Sequence, residues 1–225
     1  MVDLHYPPST VVGKPVPKNA FYKHLEVNAR VKQHFVDDVV RIDWLYKLAP
    51  STLNIEDGKD VHEIVVFSAL LKQRDCPDDV FLFIDKNMPR HVVFILEHDG
   101  QYRLLLNYKE WQDEKTGIFR IVKTFVSEWF DAERLTLPIE GHTLDAIYEA
   151  MAGSISGFGT TSRADAKRVV ELQDLISKGL KQVEALQKKI RTEKQFNRQM
   201  EMNTEARTLK KQVAQWQKEL SELKQ

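Results

Sequence analysis

The chain has 225 residues, 33 Lys+Arg against 33 Asp+Glu for a formal net charge of zero, and 42% hydrophobic residues. That composition suits one ordinary domain with an appendage or two small domains, and it excludes general disorder and a nucleic-acid binder driven by bulk charge. Cys76 is the single cysteine, so one chain can form neither an internal disulfide nor a cysteine zinc cage, and a reducing cytoplasm is the expected compartment.

Residues 1–18 contain Pro7, Pro8, Pro15 and Pro17. Each fixes its own φ and pushes its predecessor toward extended geometry, so this stretch reads as an extended arm. It has no apolar run, unlike a secretory signal, and no apolar run elsewhere approaches the about 20 residues that a membrane-spanning helix needs. Asn19 reads as the N-cap of a helix carrying Phe21, Leu25, Val31, Phe35 and Val36 on its apolar side, with a break near Asn28.

Val40, Ile42, Trp44, Tyr46 and Leu48 alternate with Arg41, Asp43 and Lys47 at the spacing of a half-buried strand, ended by Ala49-Pro50-Ser51. Val61 to Lys72 reads as a second strand, and its unbroken run Ile64-Val65-Val66-Phe67 suits burial on both faces. Asp78 is placed to cap a short helix with Val80, Phe81 and Ile84 inward. Val92-Phe94-Leu96, Asp99-Gly100 and Tyr102-Leu104-Leu106-Tyr108 spell a tight hairpin, and alternation over Phe119 to Trp129, after a loop with Gly117, extends it into an antiparallel meander. Thr143 opens a short helix with Leu144, Ile147 and Met151, and Gly153, Gly157 and Gly159 form a glycine-rich joint over 153–160.

The fold class read from this order is α+β over 19–152, a mixed and mainly antiparallel sheet with packing helices, followed by a long helical, coiled-coil arm over 161–225. From Thr160 onward there is no proline and only Gly179, and this stretch holds 15 Lys+Arg and 9 Asp+Glu, a surplus of six that the first 159 residues balance. Ser162 and Asp165 stand at capping-box spacing. One apolar stripe runs through Val169, Leu172, Ile176, Gly179, Val183, Leu186 and Ile190, and a second, in another phase, through Met202, Ala206, Leu209, Val213, Trp216, Leu220 and Leu223. The polar stretch between them either bends into a hairpin or continues as a rod of about 60 residues, roughly 90 Å long. With no Gly or Pro to mark a bend, the continuous or slightly broken helix is the expectation. Either way each stripe needs a partner surface.

No residue constellation names a reaction or a cofactor. No two of the seven histidines stand at i, i+3 or i, i+4, HExxH is absent, and Gly153-Ser154-Ile155-Ser156-Gly157 has Ile155 where a nucleophile elbow needs serine. The element order is compatible with a metal-dependent nuclease core built from Glu63, Lys72 and Asp85, with Glu97 and Lys109 on neighbouring strands. Leu70 stands two before Lys72, however, where such a site needs a carboxylate. Lys188, Lys189, Arg191, Lys194 and Arg198 cluster around Phe196 between the two stripes. Such a cluster can contact phosphates while the aromatic stacks or anchors on a partner, although a solvated helix face has the same composition.

The segments Val16 to Tyr22, Arg41 to Ile55, Ile84 to Pro89 and Glu193 to Arg198 resemble a bacterial family known only as a domain of unknown function. The resemblance runs over nearly the whole chain and implies partners encoded beside it, a helicase and a DNA methyltransferase in restriction-like, phage-defence gene clusters. It carries no catalytic residues across. The combined expectation is an accessory interaction protein, docking through its α+β domain and pairing its arm with a partner helix or with itself, with possible DNA contact and no membrane. A divergent nuclease and a direct nucleic-acid binder are the alternatives.

Overall fold

Runs of β-branched and aromatic residues bounded by polar turns build a sheet, and 3.6-residue periodicity builds the helices that cover it. The computed structural model describes residues 2–23, 27–113, 118–156, 163–193 and 195–222. The elements are β1 (Val11–Val16), α1 (Ala29–Asp37), β2 (Val39–Leu48), the single turn α2 (Pro50–Leu53), β3 (Ile64–Leu71), α3 (Asp79–Lys86), β4 (His91–His98), β5 (Gln101–Asp113), β6 (Ile118–Val126), β7 (Phe130–Asp131), α4 (Leu144–Ser156), α5 (Arg163–Thr192) and α6 (Phe196–Glu222). They fall into two units, residues 1–157 and 158–225.

The first unit is α+β. Its sheet runs β1-β2-β3-β4-β5-β6, with the short β7 pairing β5. Only β3 and β4 are parallel, because α3 carries the chain back between them. The β4–β5 hairpin has the two-residue loop Asp99-Gly100, both at positive φ (47° and 77°) as a tight hairpin turn demands. On one sheet face, α1 and α3 close a core around Phe35, Val65, Phe67, Phe81, Ile84 and Phe94. Each fully buried side chain of this size stabilises the fold by about 1.5–3 kcal/mol. On the other face, α4 buries Leu144, Ile147, Tyr148, Met151 and Ile155. Its first turn is tied down by Asp145, whose carboxylate accepts the backbone N–H groups of Lys59, Asp60 and Val61. Gly58 lets that loop approach so closely: a Cβ there would meet the Val61 carbonyl at 2.2 Å.

Several local expectations are corrected. The proline-rich N-terminus contributes an edge strand, β1, antiparallel to β2 and bulged between Val11 and Lys14. An edge is where Pro15 is tolerated, since one row of N–H groups faces no neighbour. The break near Asn28 is a true N-cap: Asn28 Oδ1 accepts the Arg30 N–H at 2.9 Å. The expected helix from Asn19 is a 3₁₀ turn, Lys18–Phe21, and Leu25 lies outside the described residues. β2 is not simply half-buried, because bulges at Val40 and Leu45 shift its alternation, exposing Val40 and burying Asp43 and Leu45. Asp78 makes no side-chain cap on α3. Gly153 lies within α4 rather than in a joint, while Gly117, Gly157, Gly159 and the Ser162 half of the capping box lie outside the described residues.

The second unit overturns the continuous rod. α5 and α6 form an antiparallel hairpin: Arg168 Nε donates to Glu219 Oε1 at 2.7 Å, and Gln199 Nε2 donates to the Ile190 carbonyl at 3.2 Å. Gly179 lies at the crossing, where a Cβ would sit 2.5 Å from Val213 and 3.3 Å from Trp216. The bend needs neither glycine nor proline because side chains satisfy the helix ends. Thr192 Oγ1 donates to the Lys189 carbonyl at 3.0 Å, and Glu193 Oε1 accepts the Gln195 N–H at 2.9 Å. The change of phase between the stripes follows from their belonging to two helices.

Candidate functional site

The residues proposed for a nuclease do not meet. Glu63 precedes β3 and Lys72 follows it, so they stand at opposite ends of the strand, about 30 Å apart at ~3.3 Å per residue. Glu63 is held by Lys47 at 3.1 Å and Arg90 at 3.4 Å. Lys72 Nζ donates to the Val36 carbonyl at 2.8 Å, and Lys18 Nζ donates to Phe35 and Val39 at 2.9 and 2.7 Å. Two ammonium heads thus complete the carbonyl end of α1, where a cation is favoured by the helix dipole. Desolvation first, and the neighbouring Lys72 second, lower the Lys18 pKa.

Asp85 and Lys109 do meet, but inside the protein. Their charged atoms lie 2.6 Å apart and both side chains are 0% exposed. Lys109 Nζ also donates to the carbonyls of Asp85, Met88 and Arg90, closing the end of α3. Around them, Thr124 donates to Asn107 Oδ1 at 2.7 Å and Tyr148 to the Asn107 carbonyl at 2.9 Å. Burial is the main cause of every shift here: it raises the Asp85 carboxyl to about 6 against the pull of Lys109, lowers Lys109, and lowers His91 to about 3. A sealed pair with this many internal partners holds helix and sheet together and presents nothing to a substrate. Cys76 is similarly withdrawn, its thiol raised to about 12, chiefly by burial. Among the described residues, no group of three or more His, Cys, Asp or Glu is placed to hold a metal ion.

The arm presents the opposite arrangement. Leu172, Val183, Ala206 and Val213 are buried, and Ile176, Leu186, Ile190, Met202, Leu209, Trp216 and Leu220 are half-buried. Across the hairpin, each stripe supplies the surface that the other was expected to seek from a partner. The Val169 side chain and Leu223 lie outside the described residues. At the bend, Phe196 is 72% exposed and Met200 55%, and their i, i+4 spacing places both on one side of α6. Lys189 and Arg198, from different helices, line one open cleft with Thr192, Glu193, Gln195 and Met202. Lys188 is exposed but paired with Glu184 at 2.8 Å, and Arg191 is exposed. Lys194 lies outside the described residues. Residues 188–200 contain five cations and one anion, Glu193, a surplus of four. The bend thus carries an exposed aromatic and a surplus of cations, with Phe196 outside the cleft that Lys189 and Arg198 share.

Two polar clusters have no counterpart in the expectations from sequence. His34 Nδ1 lies 2.6 Å from Asp38 Oδ2, and Gln73 Nε2 reaches the other Asp38 oxygen. The i, i+4 spacing of His34 and Asp38 was a visible signal, whereas Gln73 is brought in only by the β2–β3 pairing. The three N–H groups on Asp145 likewise come from a loop more than 80 residues away.

A family described as a domain of unknown function, DUF4391, matches residues 4–213. The chain belongs to this family. The match spans both units and includes the bend between α5 and α6, so the arm is part of what defines the family. Neither the curated proteins nor the solved structures contain a match. Among the described residues, no helix is long and apolar enough to cross a membrane.

Proposed function

We propose that the chain acts by binding rather than by chemistry, as an accessory component of a bacterial, cytoplasmic DNA-targeting complex of the restriction-like or phage-defence kind. In this reading a helicase or DNA methyltransferase supplies the catalysis, the α+β unit is the docking body, and the arm, packed as an antiparallel coiled coil, is a second contact element. The observation that carries it is the hairpin tip. The arm covers its own apolar stripes yet leaves Phe196 and Met200 in solvent near the bend, where Lys189 and Arg198 also line an open cleft with Glu193, an arrangement that adds nothing to the packing of the hairpin and suits an interaction site. The buried partners of Asp85 and Lys109 support the same reading, since the side chains best suited to catalysis serve the fold.

The test is co-purification. The tagged chain, expressed together with the products of its neighbouring genes, is expected to retain a helicase or a DNA methyltransferase at stoichiometric yield through a gel-filtration step. Recovery of the chain alone would reject the accessory role. Cleavage of DNA by the purified chain with Mg²⁺ or Mn²⁺, abolished by Lys72→Ala, would reject the non-catalytic one.

A further inference from the structure

The geometry points to the outer edge of β6 as the docking surface of the α+β unit, taking an extended, acidic segment of a partner protein as an added strand. This rests on the reading of that unit as the docking body and names the edge by which it docks. The two ends of the sheet differ in what they offer a further strand. β1 has only six residues, holds Gly13 at φ 59° and is bulged between Val11 and Lys14. Its Pro15 has no N–H to give, and a short, bulged strand with a proline is how proteins close an edge. β6 has nine residues with neither proline nor glycine, and among the described residues it pairs only with β5.

A bulge at Val122 interrupts β6, because Lys123 pairs Tyr108 while Ile121 pairs Lys109. Beyond it, residues 123–126 run in unbroken register against 105–108. The Ser127 N–H donates to the Leu104 carbonyl at 3.0 Å. Antiparallel alternation then turns the backbone groups of Lys123 and Phe125 toward β5 and those of Thr124 and Val126 away from it. The Thr124 hydroxyl donates across the pair to Asn107 Oδ1 at 2.7 Å, as suits a non-hydrogen-bonded pair, where facing side chains lie closest. Thr124 and Val126 thus present two N–H groups and two carbonyls outward, spaced for a further ladder. Val126 is half-buried and packs against the core on the α1 and α3 side, so an added strand extends a face that is already apolar.

Charge selects the occupant. Arg120 and Lys123 are the only charged residues of β6. Arg120 is held by Glu110 at 3.2 Å, whereas Lys123 takes part in no ion pair among the described residues. A second copy pairing β6 to β6 would bring these cations together with no carboxylate in either strand, which like charges disfavour. A strand with Asp or Glu beside Lys123 gains instead. The lysine therefore guards the edge against other copies of this chain and admits an acidic strand, in the mode by which peptides extend an exposed sheet edge.

The test has two readouts. In the free full-length chain, amide hydrogen exchange followed by NMR should be fast at Thr124 and Val126 and slow at Lys123 and Phe125, the alternation of an open edge. Slow exchange at all four would show that the chain covers this edge itself, and would overturn the proposal. For the second readout, the tagged chain is expressed with the products of its neighbouring genes and followed through gel filtration. Thr124→Pro removes one outward N–H without touching the backbone ladder to β5 and should release the retained helicase or methyltransferase. Lys123→Glu should release it too, and Lys123→Arg should retain it. Far-UV circular dichroism checks that each variant keeps its fold, and Lys123→Glu carries the test if Thr124→Pro does not fold.

Retention of the partner by both Thr124→Pro and Lys123→Glu would reject this edge and leave the accessory role standing, whereas recovery of the parent chain alone would remove both. Release by Thr124→Pro with retention by Lys123→Glu contradicts the acidic occupant. A parent chain that is dimeric by light scattering and monomeric as Thr124→Pro would make the occupant a second copy, which also contradicts the proposal.

Discussion

The two units use the same residue type in opposite ways. In the α+β unit, Lys109 is fully buried against Asp85 and three carbonyls, and Lys18 and Lys72 complete the end of α1. In the arm, Lys189 and Arg198 line an open cleft, and Arg191 stands in solvent. Lys109, whose donors are all taken up by the fold, has no capacity left for a ligand, whereas Lys189 at the bend keeps its charge available. Charge counts alone cannot distinguish them. What distinguishes them is whether helix ends or solvent receive the ammonium group.

The largest break in that comparison should come from Lys109→Met. It leaves Asp85 buried without its cation, which costs about 3–5 kcal/mol when one partner of a buried pair is removed, read as a lower urea midpoint at unchanged slope. Replacing both members, Lys109→Met with Asp85→Leu, should recover most of that loss. A tolerated Lys109→Met would erase the distinction between the units.

Gly179→Ala comes next. The added methyl meets Val213 and Trp216, and overpacking of about 1–3 kcal/mol should outweigh the alanine's better helix propensity. Faster amide exchange should appear along α5 and α6 but not in β3 or β4. Asp145→Ala removes the acceptor of three backbone N–H groups and should cost about 1–3 kcal/mol, with exchange rising first at residues 59–61.

A smaller effect depends on pH. His91 is held neutral down to about 3 by burial, whereas in the unfolded chain it titrates near its ordinary 6.5. The unfolded state therefore binds the extra proton across this window, so the contribution is complete above pH 6.5 and is lost as the pH falls, at about 1.4 kcal/mol per pH unit. Asp85, raised to about 6 from 3.8, has the opposite sign: its contribution is complete below 3.8 and lost as the pH rises through 6. The useful quantity is thus a difference. His91→Phe should lose less stability than the parent on acidification from pH 6 to 4, and parallel curves would show that His91 does not titrate in this way. Least of all, Phe196→Ser and Arg198→Met should leave the urea midpoint where it was.

Much of the α+β unit was legible because its strands announce themselves twice, by composition and by turn chemistry. Asp99-Gly100 set the hairpin, and the unbroken Ile64 to Phe67 run marked a strand covered on both faces. The parallel β3–β4 pair is less direct, since it depends on where α3 returns the chain. The bulges at Val40 and Leu45 were hidden because only pairing with β3 reveals which residue is extra. The arm's two stripes were legible, but their relation was not: no Gly or Pro marks a bend, and the chain turns back between α5 and α6 with side-chain bonds from Thr192, Glu193 and Gln199 at the helix ends. The cationic cluster around Phe196 could be read from sequence. The cleft shared by Lys189 and Arg198 required the hairpin. In the nuclease reading the residue types were correct and the geometry was not, since one strand separates Glu63 from Lys72 and the core encloses Asp85.

Everything proposed for the tip depends on α5 and α6 covering one another and leaving only the bend free. Spin labels at Ser177→Cys and Gln217→Cys, in a chain whose buried Cys76 is left in place, report this directly by pulsed electron–electron resonance. The hairpin predicts a narrow distance distribution below about 25 Å, from helices packed about 8–10 Å apart plus the length of two labels. A continuous helix would place the same labels about 60 Å apart at ~1.5 Å per residue, and a distribution centred there would contradict the account.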